Sequence, residues 1–370
     1  EGTTPGVARA QIDEAITSIV RSWADALRIE LDQHYPGTKA RALAQRWGHA
    51  FSLGYREAFS AEMAVADIAV LERLSETKPR ATVFERREGD DPSRVNLKFY
   101  VRGEALPLSD RVPPLEAMGF RVMSERTYRV LPEGDRGIRI WIHDVLLERA
   151  NGGPIDVRSL KPKIESLLMA LGTDQAESDR YNALTLAAGL GWREIAALRT
   201  LSRYLQQARV PFSQDYMAST LAAHPHIAKL LIALFHSRFD PRFDEGGRGE
   251  RQNAIRTELE AALEDIASLD EDRIIRRFIN LIESALRTNF YQLTEDGQPR
   301  PAIAFKFDSG KIDNLPLPRP YVEIFVYSPR VEGVHLRFGP VARGGLRWSD
   351  RQQDFRTEVL GLVKAQQVKN

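Results

Sequence analysis

The hydrophobic period of this chain switches between helix and strand values along its length, and that alternation excludes both an all-helical bundle and an all-strand sandwich. Over 8–74 apolar residues recur every three or four positions, as in Ile12, Ile16, Ile19, Trp23, Leu27 and Leu31, which lays one stripe along a helix. After Pro79 the period drops to two. Val95, Leu97, Phe99 and Val101 alternate with polar neighbours, the mark of a strand with two unlike faces. Helical spacing returns over 179–287, and alternation resumes in 303–307 and 321–327. Blocks of helices and blocks of strands in succession give an α+β class.

Breaking residues subdivide these blocks. Pro36-Gly37 ends the first helix, Leu43, Trp47, Phe51 and Tyr55 at four-residue steps predict a second, and Ser60 is the N-cap of a third that carries Val65, Ile68 and Leu71. Strands over 82–85 and 95–101 flank the turn Gly89-Asp90-Asp91-Pro92. A short helix over 109–118 ends at Gly119, strands follow over 120–130 and 138–142, and a helix over 162–171 closes the block. A crossover helix between strand pairs suggests a small ferredoxin-like sandwich. Further helices are expected over 194–208, 216–222, 227–239, 251–266 and 273–286, with a flexible acidic, Gly-rich loop at 240–249, and a last strand over 335–338. The expected organisation is a helical segment at 1–78, an αβ module at 79–175, a helical region at 176–300 and, at 301–370, the start of a mixed αβ domain.

Composition narrows the chemistry. With 370 residues, 52 Lys and Arg against 51 Asp and Glu, and no cysteine, the chain has a net charge of +1 and no disulfide, thiolate zinc site or cysteine nucleophile. Near-neutral charge and the lack of a reading motif argue against a nucleic-acid partner. Neither a signal peptide nor a run of ~20 apolar residues is present, so no membrane partner and a cytoplasmic location are expected. A first residue other than methionine suggests a slice of something longer. Gly189-Leu190-Gly191-Trp192 lacks the third glycine of a dinucleotide loop and reads as a helix junction, and Gly310-Lys311-Ile312 reads as a turn. His224, His226 and His236 have no partner pattern for a metal, so none is expected. His143 beside Asp144 could form a pH-tuned pair, though a structural histidine fits better. No Gly-x-Ser-x-Gly elbow occurs.

The closing segment concentrates charge. Between His335 and Asn370 stand seven Arg or Lys and three acidic residues, a local net of +4, around the paired glycines of Arg343-Gly344-Gly345-Leu346-Arg347. Arginine presents a planar fork to carboxylates and phosphates, and glycines let backbone N–H groups approach a ligand closely. The pattern is half of an anion site or, more plainly, a solvated basic turn.

Arg343-Gly344-Gly345-Leu346-Arg347, followed by a helix with Lys369 near its end, resembles the substrate-binding segment of glutamate dehydrogenases, whose usual form is Lys-Gly-Gly-Leu-Arg. The continuation through Arg356-Thr357-Glu358-Val359-Leu360-Gly361-Leu362-Val363-Lys364 and on to Asn370 is similar to the large NAD-specific class. The resemblance implies that Arg343 meets the side-chain carboxylate of L-glutamate, Lys369 the α-carboxylate, Gly344 and Gly345 allow close approach, and Arg347 plays a supporting part. It implies NAD as cofactor, 2-oxoglutarate as product and a homo-oligomeric parent. It also implies that the catalytic lysine and the nucleotide-binding domain follow Asn370, so that no catalytic or cofactor-binding residue lies in this chain. The 79–175 region resembles an ACT-like module, which as an alternative makes this stretch a regulatory or assembly element responsive to an amino acid.

Overall fold

Caps and forced breaks set most element ends in the computed structural model, which describes residues 22–134, 137–243, 246–340 and 345–367. The chain divides into two compact units: one holds the chain up to Arg111 together with Val122–Leu147, the other Val112–Arg121 and everything from Glu148 onward.

In the first unit, α1 (Trp23–His34) starts where the Ser22 hydroxyl accepts the Asp25 N–H. The earlier part of the predicted first helix, with Ile12, Ile16 and Ile19, lies outside the described residues. Pro36 separates α1 from α2 (Gly37–Trp47). The expected single helix through Leu43 and Tyr55 is instead two, α2 and α3 (Leu53–Ala58). The backbone between them is taken by strand-like bonding, in which Phe51 bridges Val130 and the Leu131 N–H donates to the Ala50 carbonyl. The four-residue aromatic spacing survives the break: Phe51 stacks on Tyr55 at 4.4 Å, and Tyr55 lies 4.7 Å from Phe59. Such pairs add about 0.5–1.5 kcal/mol beyond area burial. Ser60 caps α4 (Ala61–Leu71), as expected, by accepting the Met63 N–H.

The first sheet comprises β1 (Arg80–Glu85), β2 (Arg94–Arg102), β3 (Phe120–Val130) and β4 (Ile140–Arg149), in the order β1-β2-β4-β3, with β1 and β2 antiparallel. Helix α5 (Leu108–Ala117) joins β2 to β3 and stops at Gly119, whose φ of 91° suits glycine. Helix α6 (Val157–Gly172) starts five residues before the expected Pro162, because the Asp156 carboxylate accepts the Ser159 N–H and nucleates the turn earlier.

The polar face of β2 is not a solvent face, contrary to what its alternation suggests. Lys98, 2% exposed, lies inward on the unit's core and donates to both carboxylate oxygens of Asp67 on α4 at 2.8 Å, while Tyr55 and Tyr100 donate to the same carboxylate at 2.5 and 2.6 Å. One buried anion thus satisfies a cation and two hydroxyls. Burial first, and then the Asp67 charge, pushes both tyrosine hydroxyls well above their ordinary range.

The second unit packs α7 (Ala183–Ala188), α8 (Trp192–Gln207), α9 (Gln214–Ala223), α10 (Pro225–Phe239), α11 (Arg248–Glu264) and α12 (Leu269–Ser284) around one apolar core with a second sheet. The glycine-containing junction is a helix break as expected: Gly189 closes α7 at φ 63°, and the Gly191 N–H donates to Glu194 at 2.7 Å as α8 begins. Helix α12 ends two residues before the expected 286, because Ala285–Thr288 forms β5 against β6 (Ile303–Asp308). Strands β7 (Val322–Ser328) and β8 (Val331–Arg337) complete an antiparallel sheet in the order β5-β6-β7-β8, with β8 at its edge. Helix α13 (Phe355–Gln367) follows. Among the described residues no single helix is long and apolar enough to cross a membrane.

Asp67→Asn leaves the Lys98 ammonium without its counter-charge in the core. The expected loss is about 3–5 kcal/mol, largely recovered in the double substitution Asp67→Leu with Lys98→Met, and urea unfolding of the single and double variants measures both.

Candidate functional site

In sequence the basic segment joins the edge strand β8 to helix α13, and its described part, from Gly345 on, leads directly into α13, so how α13 is fixed comes first. Strand β7 alternates, with Glu323, Phe325 and Tyr327 on its buried face. Glu323 is wholly buried, and so is Arg356 in the first turn of α13. The Arg356 Nε donates to Glu323 Oε2 at 2.9 Å and its Nη2 to Oε1, a two-point pair. Tyr204 of α8 donates to the same Oε2 at 2.9 Å, and its ring stacks on Phe307 at 4.6 Å. The start of α13 is held a second time through Gln207, whose Oε1 accepts the Arg356 N–H at 3.1 Å and whose Nε2 donates to the Gln352 carbonyl at 2.8 Å. Burial alone would push the Arg356 guanidinium down; Glu323 more than offsets it, and the pKa stands above the ordinary arginine value.

Of the sequence-identified site residues, Arg343, Gly344 and Lys369 lie outside the described residues, and Gly345 and Arg347 lie within them. Gly345 is exposed, and a Cβ there meets no heavy atom within 4 Å. Packing among the described residues therefore does not require glycine at 345. Leu346 is fully exposed and Trp348 is 80% exposed.

Arg347 has a partner that its position in the sequence does not announce. Its Nε donates to Glu358 Oε1 at 2.7 Å and its Nη2 to the same oxygen, while the Ser349 hydroxyl donates to Glu358 Oε2 at 2.5 Å. Arg351 is turned onto Asp354, with Nε to Oδ1 at 2.8 Å, and its N–H donates to the Ser349 hydroxyl at 3.1 Å. Sequence reasoning identified neither Glu358 nor the Glu323–Arg356 pair. For Glu323 a signal existed, since a carboxylate in register with Phe325 and Tyr327 falls on a buried strand face; for Glu358, eleven residues from Arg347, none did. Lys364 is exposed and makes no ion pair among the described residues.

The other candidates resolve into structural roles. His143 lies within β4 rather than at its end and is wholly buried. Its Nε2 accepts the Leu106 N–H at 3.3 Å, which leaves the proton on Nδ1, 2.8 Å from the Thr127 hydroxyl. Burial, with the Arg111 charge, pulls its pKa down to about 4, so it is neutral near pH 7. Asp144 pairs with Arg87 at 2.5 Å instead of with His143. His224, His226 and His236 each face a different glutamate, Glu271, Glu258 and Glu194. Gly310-Lys311-Ile312 begins within a single 3₁₀ turn, as expected of a turn.

The hydrogen bond from Ser349, and then the Arg347 guanidinium, holds the Glu358 carboxyl below the usual glutamate range. A folded-state pKa below the unfolded one means the clasp is fully formed above the ordinary value of about 4.3 and is lost as pH falls through the lower folded value. In a carboxyl NMR titration Glu358 should titrate below about 4.3 and return toward that value in Ser349→Ala and in Arg347→Ala.

Four family models match successive stretches of this chain: glutamate dehydrogenase helical motif 2 over 30–74, the glutamate dehydrogenase ACT3 domain over 80–160, helical motif 3 over 176–241, and the bacterial NAD-glutamate dehydrogenase catalytic domain over 258–370. The chain is 43% identical over 362 residues to the NAD-specific glutamate dehydrogenase of Halomonas elongata, covering 97% of this chain and 22% of that protein. It is 42% identical over 363 residues to that of Pseudomonas aeruginosa, covering 98% and 22%. With that of Mycobacterium tuberculosis the identity is 39% over 370 residues, again covering 98% and 22%. The chain thus spans about a fifth of the length of these relatives. By its succession of matched segments and its similarity along nearly its whole length, the chain belongs to the bacterial NAD-specific glutamate dehydrogenase family.

Proposed function

We propose that this chain forms the carboxylate-gripping part of an NAD-dependent glutamate dehydrogenase, which converts L-glutamate, NAD and water to 2-oxoglutarate, ammonium and NADH. The observation that carries the reading is an exposed segment, Gly345 to Trp348, that leads into a helix docked by a buried ion pair. A dicarboxylate needs two cations held apart by a rigid element. In this reading Arg343 takes the side-chain carboxylate, Lys369 the α-carboxylate, Gly344 and Gly345 admit the substrate close to the backbone, and Arg347 supports the turn. The glycine at 345, which no described neighbour requires, is explained by the approach of a ligand.

The described residues do not fit a nicotinamide dinucleotide. None of their strand-to-helix connections carries the G-x-G-x-x-G spacing, and β5 to β8 pair antiparallel rather than in a parallel βαβ unit. No chemical step is therefore assigned to residues of this chain, whose part is binding and orientation. In this reading the catalytic lysine and the nucleotide-binding domain belong to other parts of a cytoplasmic, homo-oligomeric parent.

The finer reading of 79–175 is an ACT-like, ferredoxin-like module between helical segments at 1–78 and 176–300, with the substrate-binding domain from 301. It is supported by the family match over 80–160 and by element order. Moving the last strand of the β-α-β-β-α-β order to the front yields the ββαββα order of this chain. The match over 258–370 begins earlier than 301.

In the parent enzyme, Arg343→Ala and Lys369→Ala are each expected to raise the glutamate KM by more than about tenfold, read from initial rates at saturating NAD. Unchanged glutamate kinetics in both would overturn the site.

A further inference from the structure

Glu358 sits in the first turn of α13, and both of its oxygens are engaged by the turn that precedes it: Oε1 by the Arg347 fork and Oε2 by the Ser349 hydroxyl. Two residues earlier on the same helix turn, Arg356 is fixed in the core by Glu323, Tyr204 and Gln207. The segment from Gly345 to Ser349 is otherwise open, with Gly345, Leu346, Arg347 and Trp348 all exposed. Its side-chain ties to the first turn of α13 run through Glu358. Arg351 and Asp354, three residues apart, only close a local loop on themselves.

Charge alone does not explain this arrangement. An arginine intended to meet a substrate carboxylate directly is poorly served by a protein carboxylate that already occupies its fork, since the two anions compete for the same donors. The Nε and Nη2 edge of Arg347 is committed to Glu358, so the pair acts as a fastener between turn and helix. A fastener at this position transmits the placement of α13, set by a buried and directional ion pair, to the described segment that runs from Gly345 to Ser349. Binding groups must be held to within about 0.5 Å of their working geometry, and an error of about 1 Å can cost two orders of magnitude.

We propose that Glu358 is a positioning residue for glutamate binding: through Arg347 and Ser349 it fastens the exposed segment that begins at Gly345 to the first turn of α13, and so fixes where Gly345 meets the substrate. The proposal rests on the site reading given above and extends it to a group that does not touch the substrate. In the parent enzyme, Glu358→Gln keeps the volume and removes the charge that engages the arginine fork. The expected result is a glutamate KM raised about tenfold, with the NAD KM within about twofold and kcat reduced less than about threefold, the pattern of lost ground-state positioning. Ser349→Ala, which removes one of the two ties, should show the same pattern at about threefold. Thermal unfolding of each variant separates this pattern from general destabilisation, which lowers kcat and raises both KM values together. Arg343→Ala and Lys369→Ala are measured in the same assay. If they raise the glutamate KM while Glu358→Gln and Ser349→Ala leave it within about twofold, the positioning role fails and the site stands; if they too leave it unchanged, the site is lost and the positioning role with it.

Discussion

The wholly buried pair of Glu323 and Arg356 is the interaction on which the rest of the second unit's functional end depends. Taking two charges out of water is costly, and their attraction offsets that cost only when geometry and additional hydrogen bonds are good. Here the pair is two-pointed, Tyr204 contributes a further donor to the carboxylate, and Gln207 takes the Arg356 backbone N–H. Apolar contact between α13 and the core, through Phe355, is non-directional and tolerates sliding. A fork facing a carboxylate does not, because a shift of one residue puts a bare guanidinium against apolar side chains. The pair thus contributes direction more than stability, and that direction fixes where α13 begins.

The first unit uses the same device on a different scaffold. Asp67 gathers Lys98, Tyr55 and Tyr100 at the contact between α4 and β2, so the face of the strand that reads as polar is a core face with one anion at its centre. In both units a carboxylate on one element receives a cation from another, with tyrosine hydroxyls completing its shell. Each arrangement ties elements far apart in sequence, 31 residues for Asp67 with Lys98 and 33 for Glu323 with Arg356. Long-range pairs of this kind fix how elements dock after local patterns have fixed what the elements are.

That division explains what could be read from the sequence. Helices and strands declared themselves by period, and the breaks at Pro36, Gly119 and Gly189 by residues whose backbone preferences act locally. The break between Trp47 and Leu53 was invisible because its cause is non-local: Phe51 bonds to Val130, almost eighty positions on. β5 was missed for the same reason, since Ala285–Thr288 continues a helical pattern until β6 offers it an edge. At the site, the glycines and arginines were legible as residue types suited to an anion. Which arginine was already occupied was not legible, because Glu358 reaches Arg347 only after α13 has folded and docked.

The local charge makes the same point quantitatively. The +4 excess over 335–370 suggests a broadly cationic surface, yet three of the seven cations are already set against carboxylates, one of them from outside the stretch. Arg347 and Arg351 are set against Glu358 and Asp354, and Arg356 against Glu323 from outside the stretch. Arg337 directs its Nη2 to the Pro340 carbonyl, a bond that shapes the entry to the turn. Of the seven cations, Lys364 makes no ion pair among the described residues, and Arg343 and Lys369 lie outside them. A basic turn that merely kept the chain solvated would have no reason to neutralise its inner arginines so thoroughly. Here Arg347, Arg351 and Arg356 serve as structure, each turned onto a carboxylate that fixes the path of the chain into α13.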